Sequence, residues 1–181
     1  VGMNKDLAKK YFSAMGIKVP RGVVVGRGEE VSDVVARVGA EIHAPFVVKP
    51  LTGGSSVGLS LAHDDRELIS AIERALAHAE KALIEEYVVG REVTLGVVDS
   101  SGGGSSYATP PLEILLPEGT LFDYDQKYKN LTHPVGPARM RAEERRALED
   151  AALRAHIHLG ARHYARYDFI LTDEGPCLLE V

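Results

Sequence analysis

The order of the predicted strands and helices indicates an α+β protein made of two lobes. In the first half of the chain, short apolar runs typical of strands alternate with amphipathic helical segments. In the second half, two predicted β-hairpins flank one long helix. The two patterns meet near residues 87–90, where Gly90 marks a break. We therefore predict one lobe at residues 1–89 and a second at residues 90–181.

The first lobe is predicted to open with a helix over residues 5–15. Asn4 can cap its N-terminus and Gly16 can end it. Its expected apolar stripe consists of Leu7, Tyr11, Phe12 and Met15. Apolar runs then predict strands at residues 23–25, 46–49 and 59–61 and from residue 82, and helical spacing predicts helices at residues 31–38 and 65–76.

The second lobe contains a segment, residues 117–137, that has neither helical nor strand periodicity. Loops of this length in compact domains usually carry function or are disordered. Its aromatic and charged cluster at residues 122–129 suits a lid that closes over a ligand. Taken alone, the cluster is better explained by a mobile surface loop. The predicted elements around it are strands at residues 92–98 and 107–116, a helix at 142–159 ended by Gly160, and strands at 164–171 and 177–181.

The composition excludes several classes of function. The chain carries 26 acidic and 21 basic residues, the latter scattered, for a formal net charge of -5, so we expect no nucleic-acid partner. No apolar run approaches the roughly 18 residues that span a bilayer, and no segment resembles a signal peptide. We therefore expect no membrane partner and a cytoplasmic location. The single cysteine excludes an intrachain disulfide.

A lysine followed by a loop of small residues is the first candidate site. Lys49 ends an apolar strand, and residues 53–58 read Gly-Gly-Ser-Ser-Val-Gly. The N–H groups of such a loop can converge on phosphate oxygens beside the lysine cation. The loop matches neither a Walker A motif nor a dinucleotide fingerprint. An ordinary flexible turn explains it equally well.

Two carboxylates in the last predicted hairpin form the second candidate site. If the turn centres on Glu174, Asp168 lies opposite Glu180 and Arg166 shares their face. Opposed carboxylates repel unless a cation lies between them, and carboxylates with substrate phosphates are typical Mg²⁺ ligands. The arginine can neutralise one carboxylate or contact a phosphoryl group. The alternative is a solvent-facing charged stripe.

The strand that begins at residue 82 leads into the linker between the predicted lobes. Its end, residues 83–88, offers backbone groups to an adenine edge, and the nearby Glu92 can reach ribose hydroxyls. Strands that end in acidic residues are common, so this segment alone indicates little.

Taken together, these segments resemble the D-alanine–D-alanine ligase family of ATP-grasp enzymes over the whole chain. Each motif is weak alone, but seven in the family's order are specific. The motifs are Val48-Lys49-Pro50, Gly54-Ser55-Ser56-Val57-Gly58, Glu85-Glu86-Tyr87-Val88, Gly90-Arg91-Glu92-Val93-Thr94, Phe122-Asp123-Tyr124-Asp125-Gln126-Lys127-Tyr128, Tyr164-Ala165-Arg166-Tyr167-Asp168-Phe169 and Leu178-Leu179-Glu180-Val181. The resemblance implies an ATP-grasp fold, in which two α+β lobes hold the nucleotide between them.

The resemblance also implies a role for each matching residue in binding ATP. The phosphates would be reached by Lys5, Lys49 and the lid residue Lys127, and covered by the amides of Ser55, Ser56 and Val57. Adenine would be held by Glu85 and the backbone of Glu86, Tyr87 and Val88, and the ribose by Glu92.

The metal and catalytic residues are implied in the same way. Asp168 and Glu180 would bind Mg²⁺ or Mn²⁺, and Arg166 would stabilise the acyl phosphate and the tetrahedral intermediate. Tyr128 would shape the second amino-acid site through Ser55, and a tyrosine there resembles the dipeptide-forming members.

The implied reaction is phosphorylation of one D-alanine carboxylate by ATP, followed by attack of the amine of a second D-alanine. The product would be D-alanyl-D-alanine for peptidoglycan precursors. Two alternatives stay open: a non-catalytic nucleotide-binding fragment, and a related ATP-grasp carboxylate–amine ligase with D-Ser or D-lactate as acceptor.

Family members also have an N-terminal substrate domain, and a metal-binding Asn and a Pro-Gly stretch after the Leu-Glu-Val segment. We therefore expect the N-terminal substrate domain to be absent from this chain and the second lobe to be truncated at its C-terminus, with 117–137 as its lid. Because family members are often dimers, a homodimer is a candidate assembly of the full-length protein.

Overall fold

The computed structural model describes residues 4–54, 57–100, 104–115 and 133–181. Within these residues the helices are α1 (Lys5–Ala14), α2 (Val31–Glu41), α3 (Asp65–Leu76) and α4 (Ala142–Leu159). The strands are β1 (Gly22–Gly26), β2 (Phe46–Pro50), β3 (Ser60–Ala62), β4 (Lys81–Glu86), β5 (Arg91–Val98), β6 (Tyr107–Ala108), β7 (Leu112–Leu115), β8 (His133–Val135), β9 (Tyr164–Thr172) and β10 (Gly175–Glu180). None of these helices is long and apolar enough to cross a membrane.

The helix ends follow local rules that the sequence shows. Asn4 caps α1 by accepting a hydrogen bond from the Leu7 N–H at 3.1 Å, and Asp64 caps α3 in the same way. Helix α4 ends at Gly160, whose φ of +66° lies in the left-handed region that glycine adopts without strain. The predicted starts and stops of these three helices are confirmed to within one residue.

The first sheet has four antiparallel strands in the order β1-β4-β2-β3. Helices α2 and α3 pack on it through side chains such as Val38, Leu68 and Ala71, which are fully buried with the strand residues Val48 and Ile84. This small sheet therefore has its own hydrophobic core.

The second sheet runs β10-β9-β5-β7-β8, and β6 also pairs with β5. Helix α4 packs on this large sheet, and Leu148, Val93, Tyr167 and Phe169 are fully buried between them. The predicted return strand at residues 107–116 is confirmed as two shorter strands, β6 and β7. Prolines between them lack the N–H that a continuous ladder requires.

Helix α1 packs on the large sheet although it comes first in the chain. Ala8 and Phe12 are buried in the large-sheet core. The predicted stripe is partly wrong, because Leu7 is 50% exposed and Tyr11 is 43% exposed. The buried face is rotated toward Ala8 and Lys9. The division of the chain at residue 89 stays a prediction. Helix α1 precedes this boundary in the sequence but packs on the large sheet, whose strands follow it.

The β9–β10 hairpin brings Asp168 opposite Glu180, as predicted, but by a different route. The turn is one position shorter than expected, and Thr172 pairs with Gly175 instead of residue 176. A bulge at Leu179 then shifts the register by one residue. The predicted register is therefore wrong near the turn, and the bulge restores it at the two carboxylates.

The predicted lid lies largely outside the described residues. Of its residues 117–137, the segment 133–135 forms β8, which pairs with β7. Lys127 and Tyr128 lie outside the described residues, as do Ser55 and Ser56 in the loop after β2.

Candidate functional site

A cavity of about 340 Å³ lies between the small and large sheets. Its described lining includes the predicted residues Lys5, Lys49, Val57, Glu85, Glu86, Tyr87, Val88, Glu92, Asp168 and Glu180. The chain therefore folds so that segments far apart in sequence face one space. The individual roles of these residues remain predictions.

The small-sheet wall of the cavity carries a buried ion pair. Glu85 lies opposite Val47 in the β2–β4 ladder, so it shares a face with Lys49, two residues further along β2. Lys49 Nζ lies 2.8 Å from Glu85 Oε2, and the exposed fractions of their side chains are only 9% and 3%. The other carboxylate oxygen contacts the ammonium group of Lys9 on α1.

Lys5 joins α1 to the loop that follows β2. Its ammonium donates to the carbonyl oxygens of Pro50 at 3.2 Å and Gly53 at 2.7 Å. Burial lowers the pKa of Lys5, and the carboxylate of Glu180 opposes that shift. The Lys5 ammonium therefore lies at the start of the loop after β2, and the side chain lines the cavity.

The loop itself needs glycine at its two described bends. Gly53 has φ +99° and Gly58 has φ +72°, both in the left-handed region. A Cβ atom at Gly58 would also lie 2.9 Å from side-chain atoms of His78 and Pro50. Glycine therefore lets the chain turn back to pair with β2, and described residues at both ends of the loop line the cavity together with Lys49.

The linker at residues 86–88 is held by the segments next to it. Arg21 pairs with the Glu86 carboxylate, with Nη2 at 2.8 Å from Oε2. Burial raises the pKa of Glu86, but the hydrogen bonds from Arg21 outweigh it and the net pKa is lowered. The N–H groups of Glu86 and Tyr87 donate to the carbonyls of Arg21 and Pro45, each at 3.0 Å. An adenine edge would therefore have to use other backbone groups of this segment, including those of Val88.

The large-sheet wall presents two carboxylates and an exposed guanidinium. Asp168 Oδ1 accepts hydrogen bonds from Thr94 Oγ1 at 2.7 Å and from Arg166 Nε at 3.0 Å. Glu180 is its cross-strand partner on β10. The side chain of Arg166 is 74% exposed and reaches Asp168 from outside the cavity lining. The structure thus brings the predicted metal ligands together and places Arg166 at their edge.

A family model described as "D-ala D-ala ligase C-terminus" matches residues 11–181 of this chain. The chain belongs to the D-alanine–D-alanine ligase family. Its sequence is 35% identical to a D-alanine–D-alanine ligase of Halalkalibacterium halodurans over 184 residues, which cover 100% of this chain and 58% of that protein. The chain therefore spans a little more than half the length of this relative.

Solved structures show the same fold. A D-Ala:D-Ser ligase, VanG, from Enterococcus faecalis matches with a TM-score of 0.83 and 32% identity, over 98% of this chain and 50% of that one. A D-alanine–D-alanine ligase from Bacillus anthracis, solved with ATP, matches with a TM-score of 0.76 and 25% identity, over 99% and 54% of the two chains. The predicted ATP-grasp fold of two α+β lobes is confirmed.

The carboxylates of this D-alanine–D-alanine ligase homologue fit a divalent cation as part of a larger set of ligands. Among the described residues, no group of three or more His, Cys, Asp or Glu side chains could hold a metal. Asp168 and Glu180 supply two carboxylates on facing strands, and Asp168 already has a hydrogen-bond donor that orients it. Mg²⁺ commonly takes one or two carboxylates and completes its shell with water and phosphate oxygens.

Two residues that contact charged side chains of the site were given no role in the sequence analysis. Thr94 pairs with Asp168 across β5 and β9, and its sequence signal was its alternation with Glu92, which puts both side chains on one face. Lys9 lies four residues after Lys5, a spacing that stacks two side chains on one face of a helix. In both cases the decisive partner lies far away in sequence, on β9 or β4.

Proposed function

We propose that the full-length protein ligates two D-alanine molecules to D-alanyl-D-alanine with ATP and a divalent cation, for peptidoglycan precursors. The observation that carries the proposal is the cavity between the two sheets. One of its walls holds lysine cations and the other holds a pair of carboxylates. Membership of the D-alanine–D-alanine ligase family supports the reaction.

The arrangement suits a bound nucleotide triphosphate. Lys49 and Lys5 would meet its phosphates, and the loop after β2 would cover them. Asp168 and Glu180 would hold Mg²⁺ or Mn²⁺, which supplies charge neutralisation at the phosphates. The linker at residues 86–88 would hold adenine and Glu92 the ribose. These groups act by positioning and by charge, and no covalent bond to the protein is needed.

The chemical steps balance with the substrates alone. A carboxylate oxygen of one D-alanine attacks the γ-phosphorus of ATP, and ADP leaves. The amine of the second D-alanine then attacks the carbonyl carbon of the acyl phosphate, phosphate leaves and the amine loses a proton. Arg166, at the edge of the carboxylates, would stabilise the negative charge that develops in both steps. Tyr128 and Ser55 would contact the second amino acid.

Binding of Mg²⁺–ATP to the 181-residue chain tests the nucleotide part of the proposal. Isothermal titration calorimetry should show binding to the wild-type chain, none to Lys49→Met, and a weaker Mg²⁺-dependent component for Asp168→Asn. Lys10→Met is the matched control, because Lys10 pairs on the surface with Asp6. Equal ATP affinity in Lys49→Met, Asp168→Asn and wild type would refute the proposed site.

Phosphate release tests the reaction itself. The full-length protein should release phosphate from ATP only when D-alanine is present. The likeness to a D-Ala:D-Ser ligase favours one alternative, in which the second substrate is D-serine. Release that depends on D-serine or D-lactate, with little from D-alanine alone, would establish a different acceptor. ATP binding without any amino-acid-dependent release would support a non-catalytic nucleotide-binding protein.

A further inference from the structure

A second buried lysine contacts the carboxylate that pairs with Lys49. Lys9 lies on α1 and is only 7% exposed. Its ammonium contacts Glu85 Oε1, whereas Lys49 Nζ lies 2.8 Å from Glu85 Oε2. One buried carboxylate therefore faces two lysines, one on each oxygen. The three residues carry a formal net charge of +1.

The two lysines differ in their access to the cavity. Lys49 and Glu85 are among the described residues that line it, and Lys9 is not. Lys9 is placed instead by the packing of α1, whose Ala8 and Phe12 are buried in the large-sheet core. Helix α1, which packs on the large sheet, thus places a cation against Glu85 of the small sheet.

We propose that Lys9 is a positioning residue that keeps Glu85 neutralised, so that Lys49 can leave the carboxylate for the phosphate oxygens of a ligand. The inference rests on the proposed function, in which Lys49 meets phosphate. In the absence of Lys9, a Lys49 side chain that turned to an anion would leave the buried carboxylate of Glu85 without a neutralising lysine. An unpaired buried charge of this kind is strongly unfavourable. With Lys9 in place, Glu85 keeps one cation while the other serves the ligand.

Two opposing influences act on the charge of Lys9. Burial, and next the charge of Lys49, lower the pKa of the Lys9 ammonium well below its ordinary value of 10.5. The carboxylates of Glu86 and Glu180 oppose this shift. The contact with the Glu85 carboxylate also favours the charged form of Lys9. A methionine would fill the same space without either charge effect, and it would leave Lys49 and Glu85 as a neutral pair.

The test measures binding of magnesium tripolyphosphate by calorimetry in a set of charge variants. This probe lacks adenine and ribose, so contacts of Glu85 with a base do not contribute. Lys9→Met should weaken binding at least about tenfold, because Lys49 is then the remaining cation on Glu85. The double variant Lys9→Met/Glu85→Gln should return to within about threefold of wild type, since Lys49 no longer has a carboxylate to neutralise.

Three further variants separate this role from a structural one. Lys49→Met and Lys49→Met/Glu85→Gln should both bind weakly, because both lack Lys49 and keep only Lys5 of the two lysines proposed to meet the phosphates. Lys10→Met should bind as the wild type does. Circular dichroism and thermal unfolding establish that each variant is folded at the temperature of the titration, and Lys9→Gln repeats the test if Lys9→Met does not fold.

Two outcomes would overturn the inference while leaving the proposed function intact. One is wild-type binding by Lys9→Met together with weak binding by Lys49→Met. The other is weak binding by Lys9→Met that Glu85→Gln does not restore, which would make Lys9 a structural residue or a direct ligand. Wild-type binding by Lys49→Met would instead remove the phosphate site itself, and with it both proposals.

Discussion

Charged side chains on the two sheets that border the cavity differ in how far they are exposed to solvent. On the small sheet, the side chains of Lys49 and Glu85 are 9% and 3% exposed. On the large sheet, those of Arg166 and Asp168 are 74% and 21% exposed. One wall is an internal salt-bridge cluster, and the other is a surface ion pair at the edge of the cavity.

This difference determines whether solvent or the protein itself neutralises the charges on each wall. Water and dissolved ions screen the exposed pair, so its partners can separate at little cost. The buried cluster has no such screening, so a cation that leaves Glu85 must be replaced from within the protein. The tertiary structure brings a second cation, Lys9 on α1, to the same carboxylate. Four predictions test or refine this contrast.

The largest effect is expected for Glu85→Leu, which leaves the buried Lys9 and Lys49 without their shared carboxylate. We expect the free energy of unfolding to fall by about 3–5 kcal/mol in urea denaturation, as for other broken buried pairs. The matched change on the other wall, Arg166→Gln, should cost less than about 1 kcal/mol. Similar losses in both variants would abolish the contrast between the walls.

The next effect concerns the linker that joins the two walls. A methyl group at Gly90 would lie 2.5 Å from the carbonyl oxygen of Leu171 and from a side-chain carbon of Ile170. Gly90→Ala should therefore destabilise the chain by about 1–3 kcal/mol, because β9 backbone has to move. Gly39→Ala in α2, where a Cβ meets nothing within 4 Å, should stabilise it by about 0.4–1 kcal/mol. An unchanged free energy of unfolding in Gly90→Ala would show that the backbone around Gly90 can move to accept a methyl group at little cost.

A smaller, pH-dependent effect is expected on the far side of the large sheet. The pKa of Asp99 lies below its ordinary value of 3.8, because Ser106 and the N–H of His163 donate to its carboxylate, with a weaker contribution from His156. A lowered folded-state pKa adds stability above pH 3.8 that is lost as the pH falls through the folded value.

Asp99→Asn should therefore reduce the loss of stability that occurs as the pH falls below the ordinary pKa of 3.8, measured by urea denaturation at several pH values. Ser106→Ala should reproduce part of the change, because it removes the first of the three donors. An unchanged pH dependence in both variants would contradict this assignment.

The smallest expected effect is the low reactivity of the Cys177 thiol in the large sheet. Burial raises the pKa of Cys177 to about 11, so the thiolate is scarce at pH 8. We expect native protein to react with a thiol-specific disulfide reagent at pH 8 far more slowly than protein unfolded in urea. Rapid labelling of the native chain would show that β10 opens readily.

The sequence predicted best those features that depend on neighbouring residues. Helix α4 runs from Ala142 to Leu159 and stops at Gly160, because glycine ends a helix by a purely local conformation. The pairing of Asp168 with Glu180 was also accessible, since a hairpin pairs residues close in sequence. The turn length and the bulge were not, because packing decides which of several registers forms.

By itself, the sequence determined the fold class, most of the helices and strands, the family, and the charged residues of the described chain that face the cavity. Only the tertiary structure decided that α1 packs on the large sheet and that its Lys9 contacts Glu85. The physical reason is that the cost of a buried charge depends on partners brought from distant segments. No rule of periodicity or capping contains that information, because those rules act along a single element.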